Sequence, residues 1–226
     1  MDDICELYRN AAQLMCKDIH VISVDEKTGI QALERLAVTP MKKNQVERQD
    51  SEYKRHGTQC LIANIEVATG KVIHPTVGDT RTEDDFMKHI ENTVKMSPDH
   101  GWIFVSDQLN THKSESLVRF VAQQCGLACD LGIKGKSGIL KNMDSRMSFL
   151  ADKDHRIRFA YTPKHASWLN QIECWFSIIS RQLLRRLSVS SKEKLNELIH
   201  SYIDYYNRTG ATPFKWLYMR KKSCVI

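Results

Sequence analysis

No stretch of about 18 apolar residues occurs anywhere in the 226-residue chain, so no segment reads as a membrane span. The first ten residues, MDDICELYRN, are too acidic and polar for a secretory signal. There is no CxxC pair. The seven cysteines are scattered, and Cys125 and Cys129 stand four apart without a His-rich partner, which argues against zinc and for reduced thiols in a cytoplasmic protein. Internal repeats and low-complexity runs are missing as well. What is there suits one sizeable α/β domain: 42% apolar residues, 27% charged, and a net charge of +6 that permits a polyanion partner without demanding one.

Residues 1–19 read as a short helical lead-in, and 21–29 (VISVDEKTG) as a β-branched strand ending in turn chemistry, with Asp25 near its C-terminal end. The charged stretch 31–58 reads as a long excursion. Residues 60–78 form a hairpin about Thr69-Gly70. A helix capped by Thr82 follows, with Phe86, Ile90 and Val94 on one face. The run WIFVSDQLNTH, 102–112, is an apolar interior strand that stops on Asp107. Ser114 or Ser116 opens the next helix, which Gly126 stops. Residues 127–155 read as an irregular, basic insertion, 156–161 as a short strand, and Ser190 with Glu193 as the capping box of a last helix. Strands interleaved with helices imply a mixed sheet with helices on its faces.

The segment TPKHASWLNQIECWF, 162–176, is the one on which function turns. Pro163 breaks the preceding strand and Ser167 offers a cap. Trp168, Ile172, Trp175, Phe176, Ile179 and Leu183 then recur at helical spacing, which puts Glu173 at the flank of the apolar face. An isolated glutamate there is ordinarily a rim residue; two further carboxylates meeting it would change its meaning. Asp25 and Asp107 each close a strand, where open α/β sheets place ligands. Three carboxylates converging at one sheet edge suit Mg²⁺ or Mn²⁺ and in-line phosphoryl displacement. Glu26 points to the opposite face from Asp25 and reads as an ion-pair partner.

Cationic residues cluster in two places. Lys134, Lys136 and Lys141 share the Gly-rich stretch GIKGKSGILK. Arg181, Arg185 and Arg186 close the Glu173 helix, where the helix dipole explains them as well as DNA does. Lys164 and His165 precede that helix, close to where a scissile phosphate would lie. His112 either meets phosphate or simply ends its strand. Tyr205, Tyr206, Phe214 and Trp216 read as packing for the last helix rather than as base-stacking groups.

The blocks VDEKTGIQALER, EYKRHGTQCLIA, SDQLNTHKSE, GIKGKSGILK, YTPKHASWLNQIECWFSI and IDYYNRTGATPFKW resemble, in order, segments of the IS630-type transposases of the Tc1/mariner group, over about residues 20–220. The resemblance implies an RNase H-like DDE catalytic domain over 20–226, with Asp25, Asp107 and Glu173 as the triad holding two Mg²⁺ or Mn²⁺ ions. It implies cleavage and strand transfer on double-stranded transposon ends, insertion at TA-containing targets, a homodimer in the active complex and a nucleoid-associated location. Lys134, Lys136, Lys141, Lys164, His165 and His112 would be its DNA contacts. Gln108 stands where many relatives have Asn, and either amide can bond a carboxylate or phosphate. The 66 positions between Asp107 and Glu173 are a wider gap than in many mariner-like relatives, and GIKGKSGILK lies inside it. The family's N-terminal helix-turn-helix region has no counterpart in the sequence, so a catalytic core without its sequence reader is the expectation. The competing readings are a non-catalytic DNA-binding or dimerisation remnant and an RNase H-type nuclease.

Overall fold

The computed structural model describes residues 2–35, 38–39, 48–49 and 52–216. In chain order these form α1 (Asp2–Met15), β1 (Ile19–Arg35), the two-residue strands β2 (Val38–Thr39) and β3 (Arg48–Gln49), β4 (Tyr53–Glu66), β5 (Val72–Gly78), α2 (Glu83–Val94), β6 (Gly101–Ser106), α3 (Glu115–Gln124), α4 (Met143–Leu150), β7 (Ile157–Tyr161), α5 (Ile172–Gln182) and α6 (Lys192–Thr209). Five strands make one sheet in the order β5-β4-β1-β6-β7, while β2 and β3 pair only with each other. β4 runs antiparallel to β1 and β5, and β6 runs parallel to β1 and β7.

Both faces of the sheet are covered. Ile22, Val24, Trp102, Phe104 and Phe159 pack against Phe86 and Ile90 of α2, Leu117 and Val121 of α3, and Leu150 of α4. On the other face, Val21, Ile103 and Val105 meet Ile4, Tyr8 and Ala11 of α1. Beside them, Leu61, Ala63 and Ile65 meet Ile172, Trp175 and Ile179 of α5 and Leu195, Ile199 and Ile203 of α6. Fully burying a side chain of this size contributes roughly 1.5–3 kcal/mol, so α1 is a structural wall of the domain rather than a lead-in. The phenol of Tyr8 also donates to the Leu169 carbonyl at 2.7 Å, and the Trp216 ring packs edge-on against Tyr8, 5.4 Å between centroids.

Local chemistry explains most boundaries. Thr82 and Asp85 form a reciprocal capping box at α2, and Ser114 caps α3. The β4–β5 hairpin turns at Val67–Gly70. Gly70 has φ +71°, and a Cβ there would sit 2.0 Å from the Thr212 carbonyl oxygen, so only glycine fits.

Four expectations shift. β1 does not stop at residue 29. It pairs with β4 out to Arg35, leaving only part of the 31–58 excursion outside the sheet. An extra residue between Lys27 and Ile30, at Gly29 with φ +70°, makes a bulge, and an irregularity on β4 about Gly57 compensates for it. The bulge rephases the strand, so that the even-numbered Ile30 and Ala32 face the side that Ser23 faced before it. The stretch 127–155 contains α4, whose start is fixed by an Asn142–Ser145 capping box rather than by apolar periodicity. The Glu173 helix begins at Ile172, not at Trp168. A 3-10 turn, Ser167–Leu169, precedes it, and Trp168 is 47% exposed, off the apolar face of α5. Ser191, not Ser190, caps α6.

Candidate active site

β1 outruns its parallel neighbour β6. The last paired residues are Ser23 and Val105, so Asp25 on β1 and Asp107, just past the end of β6, stand side by side where the parallel part of the sheet stops. Asp25 therefore lies inside a strand with respect to β4, opposite Ala63, but at the edge with respect to β6. Each of Asp25, Asp107 and His112 offers one ligand-type atom, and these atoms all lie within 4.8 Å of one another. Among the described residues this is the one such group of three.

Asp25 is 8% exposed. Its Oδ1 accepts the Glu26 backbone N–H at 2.8 Å and its Oδ2 accepts Nδ2 of Asn170 at 3.2 Å. Burial, with the charge of Asp107 adding to it, pushes the carboxyl up to about 7 against the relief of the Glu26 bond. Asp107 is more open. Its Oδ1 accepts the Leu109 N–H at 2.9 Å and lies 2.7 Å from Nδ1 of His112. Burial pushes this carboxyl up, but those partners outweigh burial and hold it below the ordinary aspartate value.

His112 is fully buried. Nε2 lies 3.1 Å from Oε1 of Glu26, and the ring packs on Phe86 at 4.2 Å between centroids. Burial disfavours the imidazolium, yet the bonds and charges of Asp107 and Glu26 outweigh it and raise the group to about 10. With both nitrogens occupied and no exposed edge, this histidine holds Asp107 and presents nothing at the surface. Glu26 is the ion-pair partner expected from its side of the strand.

The segment before α5 is tied to β1 by one buried side chain. Nδ2 of Asn170 donates to the Val24 carbonyl at 3.0 Å as well as to Asp25, while its Oδ1 accepts the Ser23 hydroxyl. The Ser23 oxygen in turn accepts the Ile172 N–H at 2.8 Å, satisfying one orphan donor of the helix start. Asn170 and Ser23 were not singled out in the sequence; the signal was an Asn three residues before the glutamate. Glu173 sits exposed in the first turn of α5, its N–H on the Asn170 carbonyl at 3.1 Å. It does not join the group around Asp25 and Asp107.

Around this centre, Gln108 donates to the Thr162 carbonyl at 2.9 Å and bridges the two loops. Lys164 and His165 are exposed on the loop before α5, His165 with φ +62°. Lys136 and Lys141 are exposed as well, whereas Lys134 lies 3.8 Å from Glu83 and 3.7 Å from Glu115. The donor chemistry fits a hard divalent cation. Two neighbouring carboxylates, one held partly protonated only by burial and by the other's charge, form a site that a cation would complete.

Residues 20–196 match the family model described as DDE superfamily endonuclease. No curated protein matches the chain. Two solved structures, the Mos1 mariner paired end complex with Mn and a pre-cleavage Mos1 transpososome, each align over 92% of this chain at 11% identity and a TM-score of 0.52. The chain spans 58% of the length of those Mos1 chains. The shared fold is RNase H-like, a mixed five-stranded sheet flanked by helices.

Proposed function

The chain belongs to the DDE superfamily endonucleases, and from that premise we propose that it is the catalytic core of a Tc1/mariner-group transposase of the IS630 type, cleaving and rejoining double-stranded DNA at transposon ends. The observation that carries the reading is the meeting of Asp25 and Asp107 on adjacent strands, where the parallel pairing of β1 and β6 stops. These two carboxylates, with Glu173 as the third, would hold Mg²⁺ or Mn²⁺, two ions in the complete site. Such ions supply charge neutralisation at a phosphodiester undergoing in-line displacement. His112 keeps Asp107 ionised and aimed, Asn170 fixes the orientation of the buried Asp25, and α5 carries Glu173. The exposed Lys136, Lys141, Lys164 and His165 suit phosphate contacts, which position DNA without reading its sequence. A homodimer and a TA-containing target belong to the same reading; the Mos1 chain that shares this fold was solved as a paired end complex.

Purified protein is incubated with linear duplex carrying transposon ends, with supercoiled plasmid and with an RNA–DNA hybrid, each with Mn²⁺ or EDTA. Mn²⁺-dependent cleavage of the DNA substrates that falls by orders of magnitude in Asp25→Asn, Asp107→Asn and Glu173→Gln is the expected result. Because Glu173 is exposed, its variant should melt within about 0.5 kcal/mol of the parent. Near-normal nicking by Glu173→Gln would remove that residue from the triad. Cleavage confined to the hybrid would replace transposition with an RNase H-type activity, and no metal-dependent cleavage at all would leave a non-catalytic remnant.

A further inference from the structure

A cleft of about 450 Å³ opens between the bulged half of β1 and the C-terminal end of α5, distinct from the carboxylate centre. Lys27, Gly29, Ile30 and Leu33 line one wall, and Arg181 and Arg185 line the other. Three of its lining side chains are cations and none is an acid. Lys27 rests its Nζ over the Phe176 ring, 5.8 Å from the centroid, and Arg181 Nε reaches only the Ser177 carbonyl at 3.3 Å. Among the described residues no carboxylate pairs with Lys27, Arg181 or Arg185, while Lys95, Arg119, Lys192 and Lys194 all have acidic partners. Three unpaired cations around one concavity repel one another, a cost that a bound polyanion reverses.

The cleft is aligned with the site. Lys27 follows Asp25 by two residues on the same strand, hence on the same face and about 7 Å further along it. Arg181 follows Glu173 by eight residues, about 12 Å along the helix axis. At about 3.4 Å of axis per nucleotide, that distance covers three to four nucleotides of a strand leading away from the carboxylates. Gly29 borders open space there, since a Cβ on it would meet nothing within 4 Å.

We propose that this cleft is a DNA-backbone track, in which Lys27, Arg181 and Arg185 hold phosphates of the strand leading away from the scissile position, Lys27 about two and Arg181 about three to four nucleotides from it. The assignment rests on the reading of the chain as an enzyme acting on DNA. It makes Arg181, in the last turn of α5, more than a complement to the helix dipole, and gives a role to Arg185 in the 3-10 turn Leu184–Arg186 that follows.

The test is the salt dependence of binding, which needs no cleavage. A fluorescent 30-base-pair duplex is titrated with wild-type protein, with the Arg181→Gln/Arg185→Gln double variant, and with a control, Lys95→Gln/Lys194→Gln, that removes two ion-paired lysines elsewhere. Both arginines are exposed, and unchanged melting temperatures confirm the fold. Losing two phosphate contacts should shrink the slope of log K against log salt by about 1.8, with weaker binding at low salt and no such change in the control. Equal slopes for wild type and the arginine variant would overturn the track and leave the DNA-cleaving reading intact. Failure of wild type to bind duplex even at low salt would overturn both.

Discussion

Nδ1 of His112 lies 2.7 Å from Oδ1 of Asp107, and its Nε2 lies 3.1 Å from Oε1 of Glu26. One fully buried imidazolium thus links the half-buried Asp107 carboxylate, at the edge of the parallel strands, to a carboxylate on the opposite face of β1. Glu26 has 1% of its side chain exposed, so without the histidine it would be a buried charge with no counter-ion.

His112→Gln should therefore destabilise the protein by about 3–5 kcal/mol, the cost of breaking a buried pair from one side. Adding Glu26→Gln removes the stranded charge and should restore a substantial part of the loss. Urea denaturation of the two single variants and the double variant closes the cycle. Strictly additive losses would mean that the two groups are not coupled.

Asp25 gives the molecule a pH signature. Unfolded, it releases its proton near 3.8; folded, it holds the proton until about 7. Between those values the native state binds the extra proton, so its contribution to stability falls as pH rises, by up to about 1.4 kcal/mol per unit. In EDTA, Asp25→Asn should flatten that part of the stability profile and leave a protein more stable than wild type at pH 7.5. Mn²⁺ should raise the melting temperature of wild type and do so far less for the variant. Parallel pH profiles for the two proteins would mean that Asp25 is not buried as a carboxyl.

Asn170→Ala leaves the Val24 carbonyl and the Ser23 hydroxyl short of a buried partner, at about 1–3 kcal/mol. The same change frees Asp25 Oδ2 and the segment carrying Glu173, so cleavage should drop more than binding does. Comparing single-turnover cleavage with duplex affinity tests this. Equal losses in both would make Asn170 a general stabiliser and not a positioning residue.

Much of this was legible in the chain. Apolar β-branched runs ending on Asp25 and Asp107 placed both carboxylates at one sheet edge, and Thr82 and Ser114 announced their helices because caps are local chemistry. Where the sequence misled, a distant partner decided. Ser167 looks like a cap, but the side chain of Asn170 bonds to β1 and interrupts the chain, so the helix starts at Ile172. The 31–58 stretch hid residues 31–35 of β1, since a bulge at Gly29 switches which residues face inward and spoils a period-two reading. The sequence left His112 open between meeting phosphate and ending its strand because its two carboxylate partners are 5 and 86 residues away. α4 carries little apolar periodicity and shows itself only through Asn142.

Tyr8 holds the Leu169 carbonyl, and Trp216 lies against Tyr8 on one side and stacks on Trp168 at 6.3 Å on the other. Helix α1, the stretch after α6 and the turn leading into α5 therefore share a single bearing. A change that loosens α1 therefore reaches the turn that fixes where the Glu173 helix begins without passing through the sheet.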